Sequence, residues 1–155
     1  KDVVAMGAAA LFIRRTDSPD WDNAFINFDY KDVYVAPNYQ VTDLWYDHFS
    51  RYLLSYTGDT GEMNVVTTMS EDGKSVIVKV VNPTDKAYNL VLNNNRWAAQ
   101  TDASYEYYAP GNLKIGNTME NKNAVALKTM SVKPSDKSYT LAVEPYSAGV
   151  LTIER

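Results

Sequence analysis

The sequence contains no cysteine and a single histidine, His48. The first absence excludes disulfides, thiolate metal sites and a cysteine nucleophile, and it leaves the compartment open because many exported proteins also lack cysteine. The second excludes a histidine-rich metal cage. Surplus positive charge is missing too: 15 Lys and Arg stand against 19 Asp and Glu, a net charge of −4, with no basic cluster. Nucleic acid and anionic membranes are therefore not expected as partners. No apolar run reaches the ~18 residues of a membrane span. Internal repeats and low-complexity segments are also lacking.

An early apolar run, Val3 to Ile13, has about the length of a signal-peptide core. Asp2 stands where the leading region should be basic, however, and Arg14 and Arg15 stand where a small-residue cleavage site should be. The run is read instead as a helix, apolar nearly all round, buried in a larger structure of which this chain is a fragment.

What is present fits a globular chain: 155 residues with 45% hydrophobic and 22% charged content suit one domain with an appendage. Thr16 to Asn23 reads as a loop, and Ala24 to Phe28 as a short buried strand. Asp29 to Pro37 reads as a second loop, after which Asn38 is placed as the N-cap of a helix. In that helix Val41, Leu44, Trp45, His48, Phe49 and Tyr52 recur at spacings of three and four and share one face. Helix, strand, helix in this order matches the end of a β/α barrel, with the loop from Asp29 on its active-site face.

From Thr57 the pattern changes to alternating strands. Val65 to Met69 and Ser75 to Val81 flank Asp72-Gly73, a hairpin signal. Further runs are Ala87 to Leu92, Ser104 to Tyr108, Ala124 to Val132, Tyr139 to Val143 and Gly149 to Ile153. The expected fold is mainly β: an antiparallel, jelly-roll-like β-sandwich over 57–155, preceded over 1–56 by a short helix-strand-helix remnant of a β/α barrel.

Four segments in register carry a resemblance. Trp21 to Tyr56, Gly73 to Asn82, Gly116 to Val125 and Glu144 to Leu151 together resemble the C-terminal part of α-L-arabinofuranosidases of glycoside hydrolase family 51. The resemblance implies a barrel followed by a β-sandwich, and retaining cleavage of terminal α-L-arabinofuranosyl groups from arabinan and hemicellulose. No cofactor and no metal are expected, given the absence of cysteine, the single histidine and the lack of calcium-loop spacing. Partners would be the rest of the enzyme's barrel and, through that parent, arabinose-containing glycans.

Retaining hydrolysis needs a nucleophilic carboxylate and a proton-donating carboxylic acid, ~5–5.5 Å apart. In the resembled family both are glutamates on the fourth and seventh barrel strands, ahead of the region this chain covers. The glutamates present are Glu62, Glu71, Glu106, Glu120, Glu144 and Glu154, all in the β portion and read as surface residues. No catalytic residue is assigned, and the fragment is expected to be inactive alone. Asn38, Tyr39 and Gln40 are the candidates for lying near substrate in the parent, weighed against a role for Asn38 as a cap and for Tyr39 in packing.

The other residues are read structurally. His48 is expected to be a hydrogen-bonded interface residue, Trp21 and Trp45 to fill the joint between helices and sandwich, and Asp59, Asp72 and Asp85 to stabilise turns. Trp97 with Tyr105, Tyr107 and Tyr108 supports a second reading, a carbohydrate-binding module whose aromatics stack on sugar rings. Against it, Tyr105 and Tyr107 share one strand face while Tyr108 takes the other. A lone strand at Ala24 to Phe28 would also present an open edge and favour homo-oligomers.

Overall fold

A computed structural model describes residues 10–19, 24–93 and 101–155. The segment 1–9, which holds most of the expected first helix, lies outside the described residues, as do Trp21 and Trp97. Ile13, expected to end that helix, instead opens β1 (Ile13–Arg15). β1 pairs in parallel with β2 (Ile26–Phe28), which pairs antiparallel with β3 (Val33–Val35). Two expectations are thereby corrected. The stretch from Asp29 to Pro37 contains a strand, because Asp29 accepts hydrogen bonds from the Lys31 and Asp32 amides and turns the chain straight back on β2. β2 is also no open edge, since it is the middle strand of three.

Helix α1 spans Pro37–Asp47, with Ala36 as N-cap and Pro37 within its first turn. Asn38 is thus not the cap. Proline has no N–H to leave unsatisfied, and its fixed φ suits the first helical position, so Pro37 sets the start two residues earlier. Asn38 accepts instead from the Tyr39 amide at 2.9 Å. The helix ends before the periodic pattern does: His48 is the C-cap, and Tyr52 lies in β4 (Tyr52–Leu54). Ser50 makes this turn, its hydroxyl donating to the Met69 carbonyl and accepting from the Tyr52 amide. Tyr52–Leu54 therefore belongs to the sandwich.

The remaining strands are β5 (Asn64–Met69), β6 (Ser75–Asn82), β7 (Tyr88–Asn93), β8 (Ala103–Tyr108), β9 (Lys128–Val132), β10 (Pro134–Ser135), β11 (Ser138–Val143) and β12 (Ser147–Glu154). They form a six-stranded antiparallel sheet, β4-β5-β6-β12-β8-β9, facing a three-stranded one, β10-β11-β7. The β5–β6 hairpin turns at Gly73, whose φ of 73° suits a residue without Cβ. Residues 124–127, expected to begin a strand, are irregular because Val125 is held by Asn117 rather than by a neighbouring strand.

Period-2 patterning places the core. Val76, Val78 and Val80 of β6, Leu151 and Ile153 of β12, and Tyr105 and Tyr107 of β8 meet Leu90 of β7 and Tyr139, Leu141 and Val143 of β11. On the outer face of the larger sheet, Ile77, Val150 and Tyr108 pack against Leu44 of α1. Lys79 Nζ reaches across to the Trp45 carbonyl at 2.8 Å. His48 is the interface residue expected, lying 3.1 Å from the Leu44 carbonyl through Nδ1 and 3.2 Å from Glu106 through Nε2.

Candidate functional site

The sequence candidates Asn38, Tyr39 and Gln40 form the first turn of α1, immediately after β3. They do not act as one group. Asn38 is exposed, while Tyr39 meets Phe25 edge to face, ring centroids 6.2 Å apart, and Phe25 in turn meets Phe12 at 5.6 Å. Gln40 Oε1 accepts from Asn117 Nδ2 at 3.1 Å.

Asn117 is the residue that the sequence reading missed. Buried in the long connection between β8 and β9, it donates also to the Val35 carbonyl at 2.9 Å, and its Oδ1 accepts from the Val125 amide at 2.8 Å. One side chain thus ties the sandwich connection to β3 and to α1. A Lys122–Asp32 ion pair closes the same joint, and the hydrogen bond from Lys122 holds the Asp32 carboxyl below its usual range. Gly116 to Val125 holds three asparagines, Asn117, Asn121 and Asn123, and nothing in the sequence marks the first of them as the buried one. Asn117→Ala would strand the Val125 amide and release the connection. We expect a loss of about 2 kcal/mol in denaturant unfolding and faster proteolysis between 109 and 127.

A second polar cluster sits at the end of the core. Tyr107 donates to Glu144 Oε1 at 2.8 Å, and Lys128 Nζ lies 2.9 Å from Oε2 and 5.5 Å from the Tyr107 ring centroid. Burial, together with Glu144, pushes the Tyr107 hydroxyl up to about 12. Burial works to raise the Glu144 carboxyl as well, but the hydrogen bonds from Lys128 and Tyr107 outweigh it and hold the carboxyl below its usual value. That is the opposite of what a proton donor in glycoside hydrolysis requires. The depressed value has a pH consequence. A carboxylate favoured in the folded state contributes stability above its unfolded pKa, and the contribution disappears as pH falls through the lower folded value. Glu144→Gln is therefore expected to flatten the decline in melting temperature below about pH 4, as read from melts across an acid series.

The other glutamates are engaged or exposed. Glu106 pairs with His48, Glu71 with Arg51 at 3.2 Å, and Glu154 accepts from the Ser75 hydroxyl at 3.1 Å, while Glu62 and Glu120 face solvent. The aromatic platform is not assembled: Tyr105 is 0% and Tyr107 8% exposed, stacked on each other at 4.6 Å inside the core. Tyr108 packs against α1 on the opposite face of the sheet, and Trp97 lies outside the described residues.

These features define a class: a mainly β sandwich carrying a small α/β appendage with a parallel strand pair. No family model and no curated protein matches the sequence. Solved structures do match the fold. An arabinose-bound family 51 α-L-arabinofuranosidase designated MgGH51 superposes with a TM-score of 0.82 at 19% identity, covering 94% of this chain and 23% of its own. The arabinose-complexed α-L-arabinofuranosidase of Thermotoga maritima gives 0.73 at 18% identity, covering 85% of this chain and 32% of its own. The catalytic domain of the family 30 xylanase C of Talaromyces cellulolyticus gives 0.58 at 16% identity, with 85% and 27% covered. The resemblance read in the sequence is thus met at the level of the fold, and the chain spans 23% to 32% of the length of these structures.

Proposed function

We propose that this chain is the supporting β-sandwich, with adjoining barrel elements, of a retaining α-L-arabinofuranosidase, and that the two catalytic carboxylates belong to the rest of the enzyme. One observation carries the reading: the parallel β1–β2 pair, β3 and α1, docked on the sandwich, form an arrangement shared over 94% of this chain with an arabinofuranosidase structure. The chemistry of the glutamates supports it, since Glu144 is held ionised and Glu71, Glu106 and Glu154 have structural partners. The sandwich's task is to brace the last barrel elements through Asn117 and the Leu44 contact. The partner is the remaining barrel, and arabinose-containing glycans are met through it. Asn38 and Tyr39 stay the candidates for lying near substrate in the parent, whereas Gln40 is occupied by Asn117.

The purified chain is expected to release no arabinose from an aryl α-L-arabinofuranoside or from arabino-oligosaccharides. Steady turnover that survives repurification would overturn the proposal. The carbohydrate-binding alternative is separated by titrating the chain with arabino-oligosaccharides while following tryptophan fluorescence. A saturable change would favour that alternative, and a flat response into the millimolar range is the result expected here.

A further inference from the structure

The parallel pair β1–β2 has a defined polarity, and the turn that follows β2 lies at its C-terminal end. The Thr16 amide, just past β1, donates to the Phe28 carbonyl at 2.8 Å, so both strands finish side by side. In a β/α barrel that end of the strands carries the active site. β3 then runs back along β2 for three residues, about 10 Å, before α1 begins. Residues 29–32 therefore stand ahead of Asn38 and Tyr39 on this face. Asp29 closes the turn: its amide donates to the Asp32 carbonyl at 2.9 Å, and its Oδ1 accepts from the Lys31 and Asp32 amides at 2.6 and 2.8 Å. The Lys122–Asp32 ion pair fastens the same turn to the sandwich. On this braced support Tyr30 is 90% exposed, more than any other large hydrophobic side chain among the described residues. Lys31 Nζ lies 5.7 Å from the centroid of its ring.

We propose that Tyr30 is a platform for one sugar ring of an arabinose-containing glycan, beyond the residue that is cleaved, and that Lys122 positions it through Asp32. The cleaved sugar sits between the two carboxylates, which belong to other strands, so Tyr30 meets a sugar further along the chain. Its ring face suits the C–H groups of a pentose, while its hydroxyl and the Lys31 ammonium are hydrogen-bonding groups for sugar hydroxyls. Tyrosine has only two side-chain torsions, and with the backbone of the turn already fixed little freedom is lost when the ring stacks. A single stacked ring falls far short of millimolar affinity, so the flat fluorescence titration expected of the isolated chain is unaffected. The inference rests on the reading of this chain as part of an arabinofuranosidase and deepens it by naming the part of the substrate that is held.

The test assays the whole enzyme on an aryl α-L-arabinofuranoside, which carries one sugar, and on long arabino-oligosaccharides. Tyr30→Ala should lower the ratio of kcat/KM on the oligosaccharides to that on the aryl substrate by about five- to tenfold, through KM rather than kcat. Tyr30→Phe should restore most of the ratio, because the ring remains. Lys122→Met, which frees the turn without touching the ring, should lower the same ratio by about twofold, a split between substrates that a merely loosened joint would not produce. The exposed position of Tyr30 leaves its variants free to fold, and their melting temperatures should match that of wild type. An unchanged ratio in Tyr30→Ala, an equal loss on both substrates, or a Tyr30→Phe as poor as Tyr30→Ala would each overturn the inference while the proposed function stands. A lower melting temperature for Tyr30→Ala would show the ring packed against the barrel and overturn it too. A wild-type enzyme inactive on both substrates would instead overturn the proposed function, and the inference with it.

Discussion

Gly149→Ala is expected to destabilise the sandwich by about 3 kcal/mol or more, the upper end for overpacking a core. Gly149 lies in β12 opposite Tyr107 of β8 and Val80 of β6. A Cβ there would stand 2.5 Å from Tyr107 Cβ, 2.7 Å from the Glu106 carbonyl oxygen and 2.7 Å from Tyr105 Cε2. Two of those three atoms are fixed by the β8 backbone and cannot swing away, unlike the tip of a flexible side chain. The missing side chain at 149 is what allows the Tyr105 and Tyr107 rings to stack at an interplanar angle of 12° above the sheet. For a chain of this size the loss corresponds to a fall in melting temperature on the order of 10 °C. Adding Tyr105→Leu should recover part of it by removing the Cε2 clash, while the Glu106 contact remains. A melting temperature for Gly149→Ala within two degrees of wild type would mean that the β8–β12 register is not the one described.

That glycine shows how far the sequence could be read. Period-2 alternation located β5, β6, β7, β8, β11 and β12, because each runs for six residues or more and buries one face. β1, β3 and β4 have three residues each and β10 has two, too few for a period to register. The helical spacing of Leu44 and His48 was real but ran on through Phe49 and Tyr52, where the chain had already turned at Ser50 to enter β4. Apolar residues continued at compatible spacings, so pattern alone could not mark the change. At the helix start two signals compete, a proline suited to the first helical position and an asparagine suited to a cap, and the proline prevails. The joint was harder still. Gln40 was a candidate on account of its position after a barrel strand, yet its partner Asn117 lies 77 positions away, and only the folded connection between β8 and β9 brings the two together.

Asn82→Asp is expected to be among the most damaging single-atom exchanges in the chain. Asn82, 1% exposed at the end of β6, uses its whole side chain: Nδ2 donates to the Lys86 carbonyl at 2.7 Å and to the Glu144 carbonyl at 2.9 Å. Its Oδ1 accepts from the Thr84 amide at 3.1 Å and from the Thr84 hydroxyl at 2.8 Å. The residue thus fastens the β6–β7 turn to the β11–β12 turn, linking the smaller sheet to the larger one at this end. The substitution keeps the shape and the acceptor but replaces two donors with an oxygen facing two carbonyls, in a site closed to water. We expect a loss of about 3 kcal/mol or more near neutral pH. The sign of its pH dependence follows from the same geometry. The neutral acid restores one donor and is the form the site tolerates, so folding favours the protonated state and the penalty shrinks as pH falls. Melts of Asn82→Asp and wild type should therefore converge toward acid pH. A constant gap across the series would place the damage in packing rather than in the lost donors, and Asn82→Leu, similar in bulk but without polar atoms, would then melt together with Asn82→Asp at every pH.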